Sequence, residues 1–434
     1  MRIRIIGGML ASLAILLAGV GALPMASAEP AAVDASLVAR GAYLAKAADC
    51  AGCHTATGGG AAYAGGLGMA SPFGTIVSSN ITPDPRFGIG AYRYEDFARA
   101  LRNGVTPDNK HLYPAMPYAA FSKIDDQDMR ALYAYMMHGV KPVARPAPPT
   151  HVPFPFNQRW LLIFWKMLFK PNGVYQARND RDAQWNRGAY LVQGMGHCGA
   201  CHTPRGIGFQ ERGNDETSLQ FLAGAVNDHW FAANLTGDRA SGLGRVGEAD
   251  LAAFLKTGHG AGLVAYGSMV EEIEDSTQYL SDDDLSAIAR YLKSLPAQRG
   301  SGNFVAATKA VVRTPAQGNH LADQAPAGAP IYQSFCAQCH QADGSGIPQA
   351  FPKLAGNPTV LNDDTTSLIR LLVEGGNSPN TLHGPARQNM PAFAGQLSDL
   401  QIAQVLTFIR TAWGNDAGPV TTNDVQTLRS ELHK

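Results

Sequence analysis

All six cysteines of this 434-residue chain fall into three copies of one pattern, Cys-x-x-Cys-His. The copies are Cys50-Ala-Gly-Cys53-His54, Cys198-Gly-Ala-Cys201-His202 and Cys336-Ala-Gln-Cys339-His340. Two residues between the thiols, in a short helical turn, set the sulfurs at the separation of the two vinyl groups of a haem. The His that follows is then directed at the iron as an axial ligand. Three disulfides in an exported chain, three thiol redox pairs or halves of zinc sites would also use the cysteines. None of these explains a His after every pair. The pattern therefore predicts three covalently attached haem c groups on Cys50, Cys53, Cys198, Cys201, Cys336 and Cys339, with His54, His202 and His340 on the irons.

The N-terminus reads as an export signal. Arg2 and Arg4 precede an apolar run from Ile5 to about Leu23, and Ala26-Ser27-Ala28 supplies small residues before Glu29. Residues 1–28 are thus predicted to be a cleaved signal peptide, placing the protein on the periplasmic side of the inner membrane. An uncleaved anchor is the alternative, since the run is nearly long enough to span a bilayer. Hydrophobic residues make up 45% of the chain and charged residues 16%, a globular composition. The formal net charge is zero, which gives no footing for nucleic-acid binding.

The motifs divide the chain into similar units. Arg40-Gly-Ala-Tyr43-Leu44 precedes the first and Arg187-Gly-Ala-Tyr190-Leu191 the second. Downstream, Asn80-Ile-Thr-Pro-Asp84 parallels Asn234-Leu-Thr-Gly-Asp238, and Gly88-Ile-Gly90 parallels Gly242-Leu-Gly244. Helical patterns follow over Tyr94–Asn103 and Glu248–Thr257, and each unit closes on an acidic-started apolar helix, Asp125–His138 and Asp282–Leu295. The third unit is shorter, with helices expected over Gly328–Phe335 and Leu397–Trp413. A helix entering the motif and another crossing it at the unit's end is the architecture of a small mono-haem cytochrome c. The predicted fold is mostly α: three tandem class I cytochrome c-like domains with irregular loops, at 29–140, 181–296 and 328–415. Residues 141–180 and 297–327 read as linkers, the first holding six prolines between Lys141 and Pro155, and 416–434 as a tail.

Each unit offers a Met in a loop near its closing helix as a second axial ligand. Met116 and Met390 are each followed by Pro, which stiffens the loop, whereas Met269 is not. The alternative is that these methionines fill core space. His111, His229, His259 and His383 are competing ligands. Between units one and two, Trp160-Leu-Leu-Ile-Phe-Trp-Lys-Met-Leu-Phe169 is too short to span a bilayer. With Arg159 and Lys170 flanking it, it reads either as an interfacial helix on a membrane surface or as a helix buried against a neighbouring domain or partner.

Several stretches carry a more specific resemblance: Pro72-Phe-Gly-Thr-Ile76, Asn80-Ile-Thr-Pro-Asp84, Leu112-Tyr-Pro-Ala-Met-Pro117, Gly196-His-Cys-Gly-Ala-Cys-His-Thr-Pro-Arg205 and Ser276-Thr-Gln-Tyr-Leu280. Over essentially the whole mature length the chain resembles the three-haem cytochrome c subunits of bacterial membrane-bound dehydrogenases, of the alcohol, gluconate, sorbitol and fructose dehydrogenase type. That resemblance implies an electron-transfer subunit without catalysis of its own. Its partners would be a flavoprotein or quinoprotein catalytic subunit, a small third subunit in some complexes, and ubiquinone. It also implies Met116, Met269 and Met390 as the ligands opposite His54, His202 and His340. Two alternatives from other classes are a peroxidase-like multihaem enzyme with one open iron and a free periplasmic shuttle.

Overall fold

The computed structural model describes residues 34–171, 173–306 and 325–432. The predicted signal peptide, 1–28, lies outside them, as does most of the predicted 297–327 linker. The first unit is built from α1 (Ala35–Ala47), α2 (Cys50–Cys53), α3 (Tyr94–Asn103), α4 (Tyr118–Phe121) and α5 (Asp126–His138). A 3-10 turn, Arg159–Leu161, leads into α6 (Leu162–Phe169). The second unit holds α7 (Ala183–Tyr190), α8 (Gly199–His202), α9 (Glu248–Thr257), α10 (Ser268–Asp275) and α11 (Asp282–Lys293). The third holds α12 (Ala325–Phe335), α13 (Ala337–His340), α14 (Pro358–Leu361), α15 (Thr366–Glu374), α16 (Asp399–Thr411) and α17 (Thr422–Leu432). Strands among the described residues are only two-stranded antiparallel pairs.

The helix starts are set by side chains that satisfy the first free amides. Asp125 accepts from the Asp128 N–H, Asp182 from Trp185, Ser281 from Asp284 and Ser398 from Gln401. Gln401 reaches back to Ser398, completing a capping box on α16. The α3 and α9 spans are those expected from the hydrophobic pattern. α12 starts at Ala325, three residues before the expected Gly328, and α16 is shorter at each end than Leu397–Trp413.

One contact recurs in all three units. The helix before each motif crosses the closing helix at a glycine. A Cβ on Gly41 would meet Ala131 O at 1.9 Å, one on Gly188 would meet Ala287 O at 2.0 Å, and one on Gly328 would meet Gln404 O at 2.2 Å. Four residues further along the closing helix, Tyr135, Tyr291 or Phe408 packs against the same glycine. Only hydrogen fits there, so the pairs α1/α5, α7/α11 and α12/α16 approach backbone to backbone.

The Arg-Gly-Ala-Tyr repeat is explained by what surrounds that glycine. Arg40 pairs with Asp128 of its own unit (2.7 Å), and Arg187 with Asp284 of its own unit (2.7 and 2.8 Å). The tyrosines exchange partners: Tyr43 donates to Asp284 (2.5 Å) and Tyr190 donates to Asp128 (2.9 Å). Burial would raise the Asp284 pKa, but Arg187 and Tyr43 hold it below the ordinary carboxylate value. Units one and two thus meet across a reciprocal, near two-fold contact, and one continuous core serves both, running from Leu44 and Met129 to Leu191, Leu285 and Leu292. The third unit has Ala327 and Pro330 where the arginine and tyrosine would stand. Its core is separate, built on Tyr332, Leu368, Leu372, Ile402 and Leu406.

The segments expected to be a linker and a tail are tied down. Within the proline-rich stretch, Val143 and Arg145 carbonyls accept from the Asn80 amide (2.9 and 3.0 Å), and His151 pairs with Thr75. In the tail, α17 buries Val425 and Leu428 against the third core. Arg410, fully buried, anchors its approach by donating to the carbonyls of Gly418 (2.5 Å), Val360 (2.7 Å) and Asn362 (2.7 Å).

α6 is apolar on the outside. Trp165 donates to Gly208 O (2.7 Å), and Lys166 donates to the carbonyls of Asn103 (2.7 Å) and Gly104 (2.6 Å), which pins one face to the protein. Trp160, Ile163, Phe164, Met167 and Leu168, spaced as one helical stripe, face outward, with Met167 77% and Leu168 75% exposed. Among the described residues no helix is long and apolar enough to cross a membrane.

Candidate functional site

The three motif histidines share one geometry. His54 Nδ1 lies 2.7 Å from Ser79 O, His202 Nδ1 2.7 Å from Ala233 O, and His340 Nδ1 2.9 Å from Pro352 O. A carbonyl can only accept, so each Nδ1 carries the proton and each Nε2 keeps its lone pair for a metal. Burial lowers the pKa of all three rings, only partly opposed by the carbonyl contact, which keeps them neutral. A neutral imidazole, oriented by a partner on its far nitrogen, is the form an iron binds.

In the first two units the residue just before each repeated Asn-x-Thr-x-Asp segment supplies that carbonyl, and the segment holds it in place. Asn80 accepts from Thr82 N (2.9 Å) and donates to Val143 O, and Asn234 accepts from Thr236 N (2.9 Å) and donates to Gln298 O (2.8 Å). Asp84 and Asp238 each take two amides of the following turn. Each loop is locked, and the carbonyl just before its Asn, on Ser79 or Ala233, is aimed at the His. In the third unit the loop bearing Pro352 is held from outside, by Lys353 N donating to Gly262 O of the second unit (2.9 Å).

Beside His202 and His340 lies an apolar cavity of about 820 Å³. Its wall includes Cys53, Cys198, Cys201, His202, Met269, Cys336, His340 and Met390. It runs without interruption from the second motif to the third, and it reaches the first motif at Ala51, Gly52 and Cys53. Cys50, His54, Cys339 and Met116 lie outside this wall. A cavity of this size, apolar, with thiols and neutral imidazoles at its edges, fits a porphyrin. It does not fit the other uses of the cysteines. Burial pushes the thiols of Cys50, Cys53 and Cys198 up to about 12, the opposite of a reactive redox pair. Among the described residues no group of three or more His, Cys, Asp or Glu side chains converges as a metal cluster, and the cysteines are not paired with one another.

The candidate sixth ligands are placed by short rigid elements. Met116 sits in the turn before α4, its N–H on Tyr113 O (3.1 Å) and its carbonyl taking the Tyr118 N–H (2.7 Å). Met269 is the second residue of α10, aimed by Gly267 at φ 58°. Met390 pairs with Gly376 in a two-residue strand. Met116 and Met269 are half-buried against the shared core and Met390 against the third. The competing histidines are engaged or turned away. His111 meets the Lys166 ammonium (3.0 Å), His229 sits beside Glu431 (3.5 Å), and His383 is exposed. His259 is buried on Thr257 O, and although its Nε2 has no partner it is not in the cavity wall.

The orienting carbonyls escaped the reading of the sequence, because backbone atoms leave no residue signature. The one signal was indirect: Asn80 and Asn234 stand next to them in a repeated segment.

A cytochrome c family model matches residues 38–139 and 325–413. The chain is 46% identical to the cytochrome c subunit of alcohol dehydrogenase (quinone) from Gluconacetobacter polyoxogenes, over 91% of this chain and 85% of the relative. It is 44% identical to the gluconate 2-dehydrogenase cytochrome c subunit of Pantoea cypripedii, over 95% and 93%. The fructose dehydrogenase cytochrome subunit of Gluconobacter japonicus is 40% identical, over 92% and 84%. These relatives lend no support to the peroxidase-like or free-shuttle alternatives. With haem c implied by the family match and near-full-length likeness to these subunits, the chain belongs to the family of cytochrome c subunits of quinone-linked dehydrogenases.

Proposed function

We propose that this chain carries three c-type haems and passes electrons from a dehydrogenase catalytic subunit, holding a flavin or pyrroloquinoline quinone, to membrane ubiquinone. The observation that supports the count is the threefold recurrence of one constellation: Cys-x-x-Cys, a half-buried neutral His and a carbonyl on its Nδ1. Bound haem supplies a one-electron iron couple whose potential is set by its axial ligands. The chain's own residues hold that group. Cys50 and Cys53, Cys198 and Cys201, and Cys336 and Cys339 would attach it, while His54, His202 and His340 would offer Nε2 to the iron. Met116, Met269 and Met390 would supply the second protein ligand of each iron. The mostly apolar walls would give the group a low-dielectric surrounding.

Export by residues 1–28 to the periplasmic side of the inner membrane accords with covalent haem attachment. The outward apolar stripe of α6 supports contact with the membrane surface or with a partner subunit. Pyridine haemochrome analysis of the purified mature chain tests the core of this reading. Three c-type haems per polypeptide are expected, and two or fewer would overturn it.

A further inference from the structure

Where the helix entering the second motif reaches its cysteines, it does something its counterpart does not. Cys50 follows Arg40 by ten residues, whereas Cys198 follows Arg187 by eleven. The extra residue is absorbed as a π turn over Leu191–Met195, with Gly196 N on Leu191 O (2.7 Å). α1 instead ends with an ordinary turn, Ala48 N on Leu44 O (2.9 Å).

The bulge redirects the residue before the cysteine. Asp49 and His197 both have left-handed backbones, φ 43° and 36°. Asp49 folds back to accept from Gly52 N (3.2 Å) and so caps its own motif helix. His197 leaves α8 without such a cap and reaches the other unit, placing Nε2 3.3 Å from Ala48 O. Its ring stands edge-on to Phe121, also of the first unit, at 5.6 Å. The acceptor is a carbonyl, so Nε2 carries the proton. A hydrogen bond this long adds little to stability, yet a strained backbone persists only where its surroundings enforce it.

Ala48 lies two residues before Cys50, and His197 is bonded directly to Cys198. α10, the helix of the second unit that bears Met269, packs on α2, the helix of the first motif. Cys53 and Cys201 border the same cavity.

We propose that His197 is the coupling residue between the first and second haems: its Nε2–H···O=C bond to Ala48 joins the peptide leading to Cys198 to the peptide leading to Cys50. This rests on the haem assignment made above. One electron leaves the ferrous iron of one unit and reduces the ferric iron of the other. No covalent bond forms or breaks, and the proton stays on Nε2. His197 touches neither iron, so it is a positioning residue.

The test compares the full-length haem-loaded chain with three variants. His197→Asn tolerates the left-handed backbone but is too short to reach Ala48. His197→Phe keeps the ring against Phe121 and has no donor. His197→Gln is long enough to restore an N–H donor. Haem count is read by pyridine haemochrome, potentials by spectroelectrochemical titration, and internal electron re-equilibration by photoreduction followed in time. Three haems and unchanged potentials are expected in all four proteins. Re-equilibration between the first two haems should slow severalfold in the Asn and Phe variants and recover in Gln. Wild-type rates in the Asn or Phe variant with three haems present, or equal slowing in all three variants, would overturn the coupling role. Fewer than three haems in the wild type would instead overturn the haem assignment.

Discussion

The crossing glycines make a demanding prediction, because helix propensity and packing pull in opposite directions at Gly188. In an open helix, Gly→Ala stabilises by about 1 kcal/mol. At Gly188 the new Cβ would stand 2.0 Å from Ala287 O, 2.6 Å from Ala287 C and 2.9 Å from Tyr291 Cβ. Reaching an ordinary 3.4 Å contact requires α7 and α11 to part by about 1.4 Å at the crossing. Two of the three obstructing atoms are backbone, so no side-chain rotation relieves the clash. Overpacking of this kind costs about 1–3 kcal/mol. The displaced Tyr291 also holds Gln193 (2.8 Å) and Glu216 (2.9 Å) through its hydroxyl, bonds worth about 1 kcal/mol each. Packing therefore wins, and Gly188→Ala should destabilise by about 1–3 kcal/mol net. For a cooperative unit of about 150–250 residues that lowers Tm by about 2–4 °C per kcal/mol. The assay is thermal unfolding of the haem-loaded protein by circular dichroism, with Gly395→Ala, where a Cβ meets nothing within 4 Å, as the control. A Gly188→Ala protein as stable as the wild type, or more so, would refute the account of the crossing.

Three further outcomes are expected. Met269→Leu should leave haem content unchanged, lower the potential of one haem, because a thioether ligand raises it, and allow that haem to bind carbon monoxide at neutral pH; spectroelectrochemistry and CO difference spectra check it. Burial, reinforced by Asp275, pushes the Glu272 carboxyl up to about 7, so the folded state prefers it protonated. Stability then falls as pH rises from about 4 through 7, as the unfolded chain releases this proton first, and Glu272→Gln should gain Tm relative to wild type at pH 8 but not at pH 4. Replacing Trp160, Phe164, Met167 and Leu168 together by Gln should leave Tm and the haem spectrum unchanged, because all four are exposed, and should release the protein from membranes or from its complex; fractionation and co-purification read this out.

Much of the site was legible because chemistry ties it to residue type. A pair of haem thioethers would need two cysteines with two residues between them and the iron the next His, so the three candidate motifs stand in the sequence unaided. Local signals carried the helices: the spans Tyr94–Asn103 and Glu248–Thr257 follow from acidic starts and apolar periodicity. α17 was missed, since only Val425 and Leu428 of its residues are buried and its stability comes from a core built by distant segments. Its approach depends on Arg410, which donates to the carbonyl of Val360 in α14 and to that of Gly418 in the segment leading to α17.

Read by itself, the sequence determined the cofactor chemistry, the repeat and the presence of a crossing helix pair in each unit. It also contained the single extra residue between Arg187 and Cys198, but not its consequence. The tertiary structure decided that Tyr43 and Tyr190 exchange partners, that two units share one core while the third keeps its own, and that the extra residue turns His197 toward Ala48. The physical reason is range. Spacing along a chain records bonds between near neighbours, whereas a hydrogen bond from Tyr43 to Asp284 exists only once two folded surfaces meet.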